Sequence, residues 1–308
     1  MEGTLARWSF DNVRVALALP NKEMIAQVGP PLRAIGLRKC FALSGIESLR
    51  AHLATGDVDL LITTPKLEGA DVARLVQDLR HGKVGDDPFP IIITLIENSS
   101  PANVKWAVES GTDDLLLTSN VAQQLRDRLD TFVLGRKPFV VTYDYVGPDR
   151  RPSDGADGQP APRVEVPNPV RWQVVANSDR TSYKEQVRNA RERINAHKIK
   201  SYGGQLVFLA DRIQKSYADT STREAIAPDV GNLQGVTEDL AVRMCGTQYN
   251  EADELVKSLQ ALLGRLSRED RAIKPAEVEI LPTLTRAIGT VFEQEPEAMN
   301  WSETAHVF

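Results

Sequence analysis

The side chains able to do chemistry are few and scattered. The chain holds four histidines and two cysteines in 308 residues. Cys40 and Cys245 lie far apart, and there is no CxxC pair and no Cys/His cluster. Neither a disulfide framework nor a zinc site is therefore implied. Thr63 and Thr64 close one apolar run, with Glu68 just beyond, and Glu97 follows a second apolar run. Carboxylates grouped beside such a threonine could hold a divalent cation and, through it, a phosphoryl group. Single loop carboxylates are instead expected to be solvated, and a Thr hydroxyl with neither base nor metal is a poor nucleophile at neutral pH. Asp71 opens a predicted helix, where Asp serves as a cap or dipole partner. Asp59 lies at the far end of the run that Thr63 closes. In the second half His197 is followed three residues on by Lys200, one helical turn away. His52, His81 and His306 have no partner nearby in sequence and receive no role.

Composition narrows the classes further. Hydrophobic residues make up 42% and charged residues 26%, enough for ordinary globular cores, and the length suggests two domains. The net charge of −5 argues against a nucleic-acid surface, whose footprint is a basic patch. No run reaches the ~18 apolar residues of a membrane span, and the N-terminus lacks a signal-peptide pattern. A soluble, cytoplasmic protein without a membrane partner is the expectation.

The elements that must position these residues alternate in type. Strands are predicted at Val13–Leu19, Arg38–Leu43, Val58–Thr63, Pro90–Ile96 and Asp114–Leu117. Helices are predicted at Lys22–Ala34, Ile46–Ala54, Ala70–Leu79, Ala102–Ser110 and Val121–Leu134. Five such units imply a parallel sheet with helices on both faces. The continuous runs Ile91–Ile93 and Leu115–Leu117 suit strands covered on both sides. After Gly135 a short strand at Phe139–Thr142 is followed by a stretch rich in Pro148, Pro152, Pro160, Pro162, Pro167 and Pro169. That is linker composition, and residues 138–172 are expected to join a first domain at 1–137 to a helical domain at 173–308. The helical part divides into Thr181–Tyr217, Pro228–Met244, Glu251–Leu266 and Pro275–Gln294, with Pro282 expected to kink or shorten the last.

The first region resembles the receiver domains of bacterial two-component response regulators. The resemblance covers about Val13–Leu134 and rests on element order and on local pieces. LLITTPKLEGADVARLVQDLR (Leu60–Arg80) is similar to a receiver's third strand, loop and third helix. PIIITLIENSSPANVKWAVESGTDDLLLTSN (Pro90–Asn120) is similar to the fourth strand through the loop after the fifth. The resemblance implies a flavodoxin-like (CheY-like), doubly wound sheet in the order 2-1-3-4-5, with a phosphoacceptor pocket at the carboxyl ends of the strands. Receivers place there an acidic pair, an acceptor Asp, a hydroxyl residue and a Lys. Here the acidic pair falls on Leu19 and Pro20 and the acceptor on Thr64. The hydroxyl position falls on Leu95, or on Thr94 if the register slips by one, and the Lys on Thr118, followed by Ser119. With no carboxylate cluster, neither Mg²⁺ nor any other cofactor is expected, and the domain reads as a pseudo-receiver.

AHKIKSYGGQL (Ala196–Leu206) resembles the motif of histidine phosphotransfer domains, with Ser201 where that family prefers Gly. The resemblance implies His197 as phosphoacceptor and Lys200 as its phosphate partner. At ~100° per residue, Ile199, Tyr202, Leu206, Leu209 and Ile213 form a core stripe, and His197 lies opposite with Ala190, Ser201, Gly204 and Phe208. His197 is therefore expected to be solvent-exposed. YVGPDRR (Tyr145–Arg151) is similar to the flank of some bacterial receiver-like proteins; Arg150 and Arg151 would bind an acidic partner or form a solvated charge pair.

Two functions follow as expectations. The first is a non-enzymatic signalling adaptor in which a pseudo-receiver and a helical output or dimerisation domain bind protein partners: a histidine kinase, another receiver or a second copy. The alternative is a phosphorelay element passing phosphate through His197.

Overall fold

The computed structural model describes residues 8–150, 162–176 and 180–293. The chain divides into two units, residues 1–194 and 195–308.

The first unit is built on β1 (Arg14–Ala18), α1 (Lys22–Ile35), β2 (Lys39–Leu43), α2 (Ile46–Ala54) and β3 (Leu60–Thr63). It continues through a two-strand hairpin, β4 (Lys66–Leu67) and β5 (Ala70–Asp71), then α3 (Val72–Arg80), β6 (Ile91–Ile96), α4 (Pro101–Ser110), β7 (Asp114–Leu117) and α5 (Val121–Leu134). The five long strands pair in parallel, as the alternating pattern predicts, in the order β2-β1-β3-β6-β7, the CheY-like order that the resemblance implies. Two apolar layers cover the sheet. One gathers Val15, Leu17, Ile62, Ile91, Ile93, Leu125 and Leu129; the other gathers Ala16, Leu49, Leu61, Leu75, Leu79 and Ile92. Neighbouring strand residues alternate between the layers, as a period of two requires. Local signals end the helices: Gly36, at φ 100°, caps α1, and Asp71 accepts from the Ala73 N–H at 2.8 Å to start α3.

The described parts of the expected linker carry a small sheet. β8 (Phe139–Val141), β9 (Val146–Pro148) and β10 (Arg163–Val164) form a three-stranded antiparallel sheet in the order β10-β8-β9. Its inner side packs Phe139, Val141, Val146 and Val164 against Phe89 and against Tyr183, Val187, Ala190 and Ile194. The last four lie in the first turns of α7 (Arg180–Thr220), reached through the short α6 (Pro169–Arg171) and a wide turn, Trp172–Ala176. The boundaries expected at 137 and 173 are thus corrected: this addition belongs to the first unit, and the division falls within α7. Residues 151–161, the centre of the expected linker and including Arg151, lie outside the described residues.

The second unit packs the rest of α7 with α8 (Arg223–Met244), α9 (Asp253–Leu266), α10 (Pro275–Glu279) and α11 (Leu281–Glu293). Ile199, Tyr202, Leu206, Leu209 and Ile213 are all buried, as the helical period predicts, against Leu233, Leu240, Leu259, Leu263 and Ile288. α7 and α11 cross at Gly203 and Gly289, where a Cβ on Gly203 would lie 3.3 Å from the Gly289 Cα. One boundary differs markedly from expectation. α8 begins five residues before Pro228, which costs it one ladder bond near its start. The last helix is shortened as Pro282 foretold, breaking at Ile280 into α10 and α11. Among the described residues no helix is long and apolar enough to cross a membrane.

Candidate functional site

The carboxyl edge of the sheet, where the resemblance locates a phosphoacceptor pocket, is built from packing and internally spent hydroxyls. Leu19 follows β1 and is buried in the apolar layer, while Pro20 is exposed in the turn to α1. Thr64 follows β3 and is buried; its Oγ1 donates to the Lys66 carbonyl at 2.8 Å. Leu95 is buried in β6, and the neighbouring Thr94 hydroxyl bonds that of Thr112 at 3.0 Å. Thr118 opens a single 3₁₀ turn after β7, and its Oγ1 donates to the Ile96 carbonyl at 3.3 Å. Glu68 sits at the tip of the β4–β5 hairpin with a left-handed φ of 49°, and Glu97 is exposed. Asp71 is occupied as the α3 cap and by the Trp106 Nε1–H at 2.9 Å. Among the described residues no group of three or more His, Cys, Asp or Glu side chains could hold a metal ion.

The charged chemistry lies at the other edge. Asp59, at the start of β3, is buried and accepts from the Arg14 backbone N–H and Nε, both at 2.8 Å, and from its Nη2 at 2.5 Å. Asp113, before β7, accepts from two guanidinium groups, Arg80 at 2.7 Å and Arg136 at 2.9 Å, and from the Ile92 N–H at 2.8 Å. Arg80 is fully buried and also donates to the carbonyls of Pro88, Pro90 and Gly111. Burial pulls its pKa down to about 10, with Asp113 opposing. Arg136 donates to the Phe89 carbonyl at 2.7 Å and to the Pro167 carbonyl at 2.6 Å. Both guanidinium groups lie over the Phe139 ring, at 5.1 and 4.8 Å from its centroid. Gly111 makes this possible: its φ is 86°, and a Cβ there would come within 3.1 Å of the Val146 carbonyl and 3.2 Å of the Arg80 side chain.

A third buried carboxylate, Asp87, accepts from the Tyr183 hydroxyl at 3.1 Å and from the Phe89 N–H at 2.9 Å. Burial raises the Asp87 carboxyl above its ordinary range, and burial with the Asp87 charge holds the Tyr183 phenol well above its own. These groups fasten β8–β10 and the start of α7 to the sheet. With their hydrogen-bonding capacity used in holding structure, they are fixed rather than reactive.

In the helical unit His197 is half-buried, which corrects its expected full exposure, while Lys200 is exposed. The neighbouring polar cluster was not legible. Tyr202 lies in the apolar stripe, and its hydroxyl donates to Asp239; Arg243 Nε donates to the same carboxylate at 2.8 Å, and the Asn195 amide to the Arg243 carbonyl at 3.0 Å. Burial raises the Asp239 carboxyl, but the hydrogen bonds from Tyr202 and Arg243 and the Arg243 charge outweigh it and set its pKa below the ordinary value. The available signals were the i,i+4 spacing of Asp239 and Arg243 and the rule that a buried tyrosine hydroxyl needs a partner.

No protein-family model matches this chain, and no curated protein matches it. Among solved structures it is similar to a response regulator signal receiver domain from Bermanella marisrubri, at 19% identity and a TM-score of 0.34 over 39% of this chain and 97% of that one. It is also similar to the chemotaxis response regulator CheY4 of Vibrio cholerae, at 15% identity and a TM-score of 0.32 over 37% of this chain and 98% of that one.

Proposed function

We propose that this protein is a signalling adaptor of a two-component-type pathway, in which a receiver-like domain and a helical output or dimerisation unit act by binding other proteins. Phosphoryl chemistry is not its mode of action, and it is not an enzyme. The observation that carries the reading is the Thr64 hydroxyl, buried and donating to the Lys66 carbonyl at the point where a receiver needs an ionised acceptor. Leu19 beside it is packed in the core, and Pro20 offers no ligand atom, so a Mg²⁺ ion would find no carboxylate pair at these positions. On this reading the outer surfaces of the first unit and of the helical bundle are its means of action.

The test is to incubate the full chain with acetyl phosphate and Mg²⁺, and separately with an active histidine kinase and a phospho-receiver, and to read intact mass. No added phosphoryl group is expected. Labelling lost in Thr64→Val would overturn the reading at the sheet edge. Labelling lost in His197→Gln, and slowed in Lys200→Ala, would replace it with phosphotransfer through the helical unit.

A further inference from the structure

The two edges of the parallel sheet are finished differently. β7 is partly or fully buried along its length. β2 at the other edge is exposed at four consecutive residues, Lys39 to Ala42, and therefore on both faces. Strands of a parallel sheet are ordinarily covered on both faces. Phe41 is 47% exposed and rests on His52 with ring centroids 5.2 Å apart. Among the described residues no strand pairs with the outer side of β2. Its sequence, KCFAL, has no proline, and its single charge stands at the first position, so the usual protections of an edge are thin.

We propose that β2 docks a second copy of this chain by antiparallel edge pairing about a two-fold axis at Phe41, extending the sheet through both copies. The strand is self-complementary in that register. Phe41 meets Phe41 of the second copy, small Cys40 meets small Ala42, and the stem of Lys39 meets Leu43. Charge selects the same orientation. The N-terminal end of β2 is basic, with Arg38, Lys39 and Arg33, which acts on Cys40; Asp11 is bound to Arg38 there at 2.9 Å in an exposed pair. The C-terminal end is acidic. Glu47 is exposed in the first turn of α2, and the Glu68 carboxylate lies against Gly45, 2.6 Å from where a Cβ would stand. Antiparallel pairing lays the basic end of each copy along the acidic end of the other, whereas parallel pairing would set like against like.

Sedimentation velocity on the full chain should show a dimer that weakens with added salt. Phe41→Lys should weaken it at least tenfold with an unchanged circular dichroism spectrum. Register is read by cross-linking in a Cys40→Ser, Cys245→Ser background. Phe41→Cys should form a full-length disulfide dimer under copper phenanthroline. Lys39→Cys should not, because its two copies would lie roughly 13 Å apart along the strands. A chain that stays monomeric to about 100 μM, a dimer indifferent to Phe41→Lys, or equal cross-linking at positions 39 and 41 would overturn the proposal.

Discussion

The carboxyl and amino edges of one sheet divide its labour in an unexpected way. At the carboxyl edge, where an α/β sheet ordinarily binds its ligand, Leu19 packs and Thr64 and Thr118 satisfy backbone carbonyls. At the amino edge Asp59, Asp87 and Asp113 are buried, each answered by an arginine or a tyrosine. Buried ions mark function only when something is left for them to do. Here the donors and acceptors are spent on holding structure, while at the carboxyl edge Glu68 and Glu97 stay exposed and no ion is buried among the described residues.

The largest test of that contrast is Asp113→Ala. It strands two buried guanidinium groups, and breaking a buried pair in this way costs about 3–5 kcal/mol. Urea denaturation of the full chain should show the loss in the transition of the first unit; a change under about 1 kcal/mol would mean that the amino edge is not the anchor described.

A smaller effect separates the edges by pH. The folded carboxyl of Asp87 titrates above its unfolded value because burial penalises its charge. The folded state therefore binds the proton first, and stability should rise as pH falls through the folded pKa toward about 3.9. Above that window the penalty is fully present. Asp87→Asn keeps an acceptor for Tyr183 and removes the titration, so stability of the natural chain relative to the variant should increase between neutral and mildly acidic pH. A flat difference would count against a charged, desolvated Asp87.

The smallest effect belongs to the carboxyl edge. Thr64→Val removes one donor to the Lys66 carbonyl and should cost about 1 kcal/mol, with no change in the NMR spectrum on adding Mg²⁺ and beryllofluoride to either protein. A shift seen only in the natural chain would give this edge a ligand and erase the contrast.

Much of this architecture could be read from the chain alone, for reasons visible at particular residues. The apolar runs at Ile91–Ile93 and Leu115–Leu117, and the turns closed by Gly36 and Gly111, are local signals, so the sheet and its helices appear where expected. The Ile199–Ile213 stripe is local as well. What escaped was either too short or too distant. β8 falls in the short strand expected at Phe139–Thr142, but strands of three and two residues give a period of two no room to repeat, so β9 and β10 looked like proline-rich linker. Arg80 and Arg136 meet Asp113 across 33 and 23 residues, and nothing in the Glu109–Asp114 turn announces them. A wheel drawn for one helix ranks its faces but does not say how far the second face is covered, and His197 on that face is half-buried. That Leu19, Pro20 and Thr64 bring no carboxylate, wherever the backbone carries them, is read from residue identity alone.

The ring of Phe139, with a guanidinium on it from Arg80 and another from Arg136, also decides where this polypeptide can be divided. A fragment stopped at residue 137, where the sheet itself is complete, would retain both arginines and lose the ring against which they rest. It would also lose the Pro167 carbonyl that Arg136 engages, and would bare Phe89, which now packs edge-on to Phe139 at 6.0 Å. Such a fragment would carry wetted cations beside a freshly uncovered apolar patch, the surface of a sticky, poorly soluble preparation. Carried on to residue 194, the same fragment would bring its own lid.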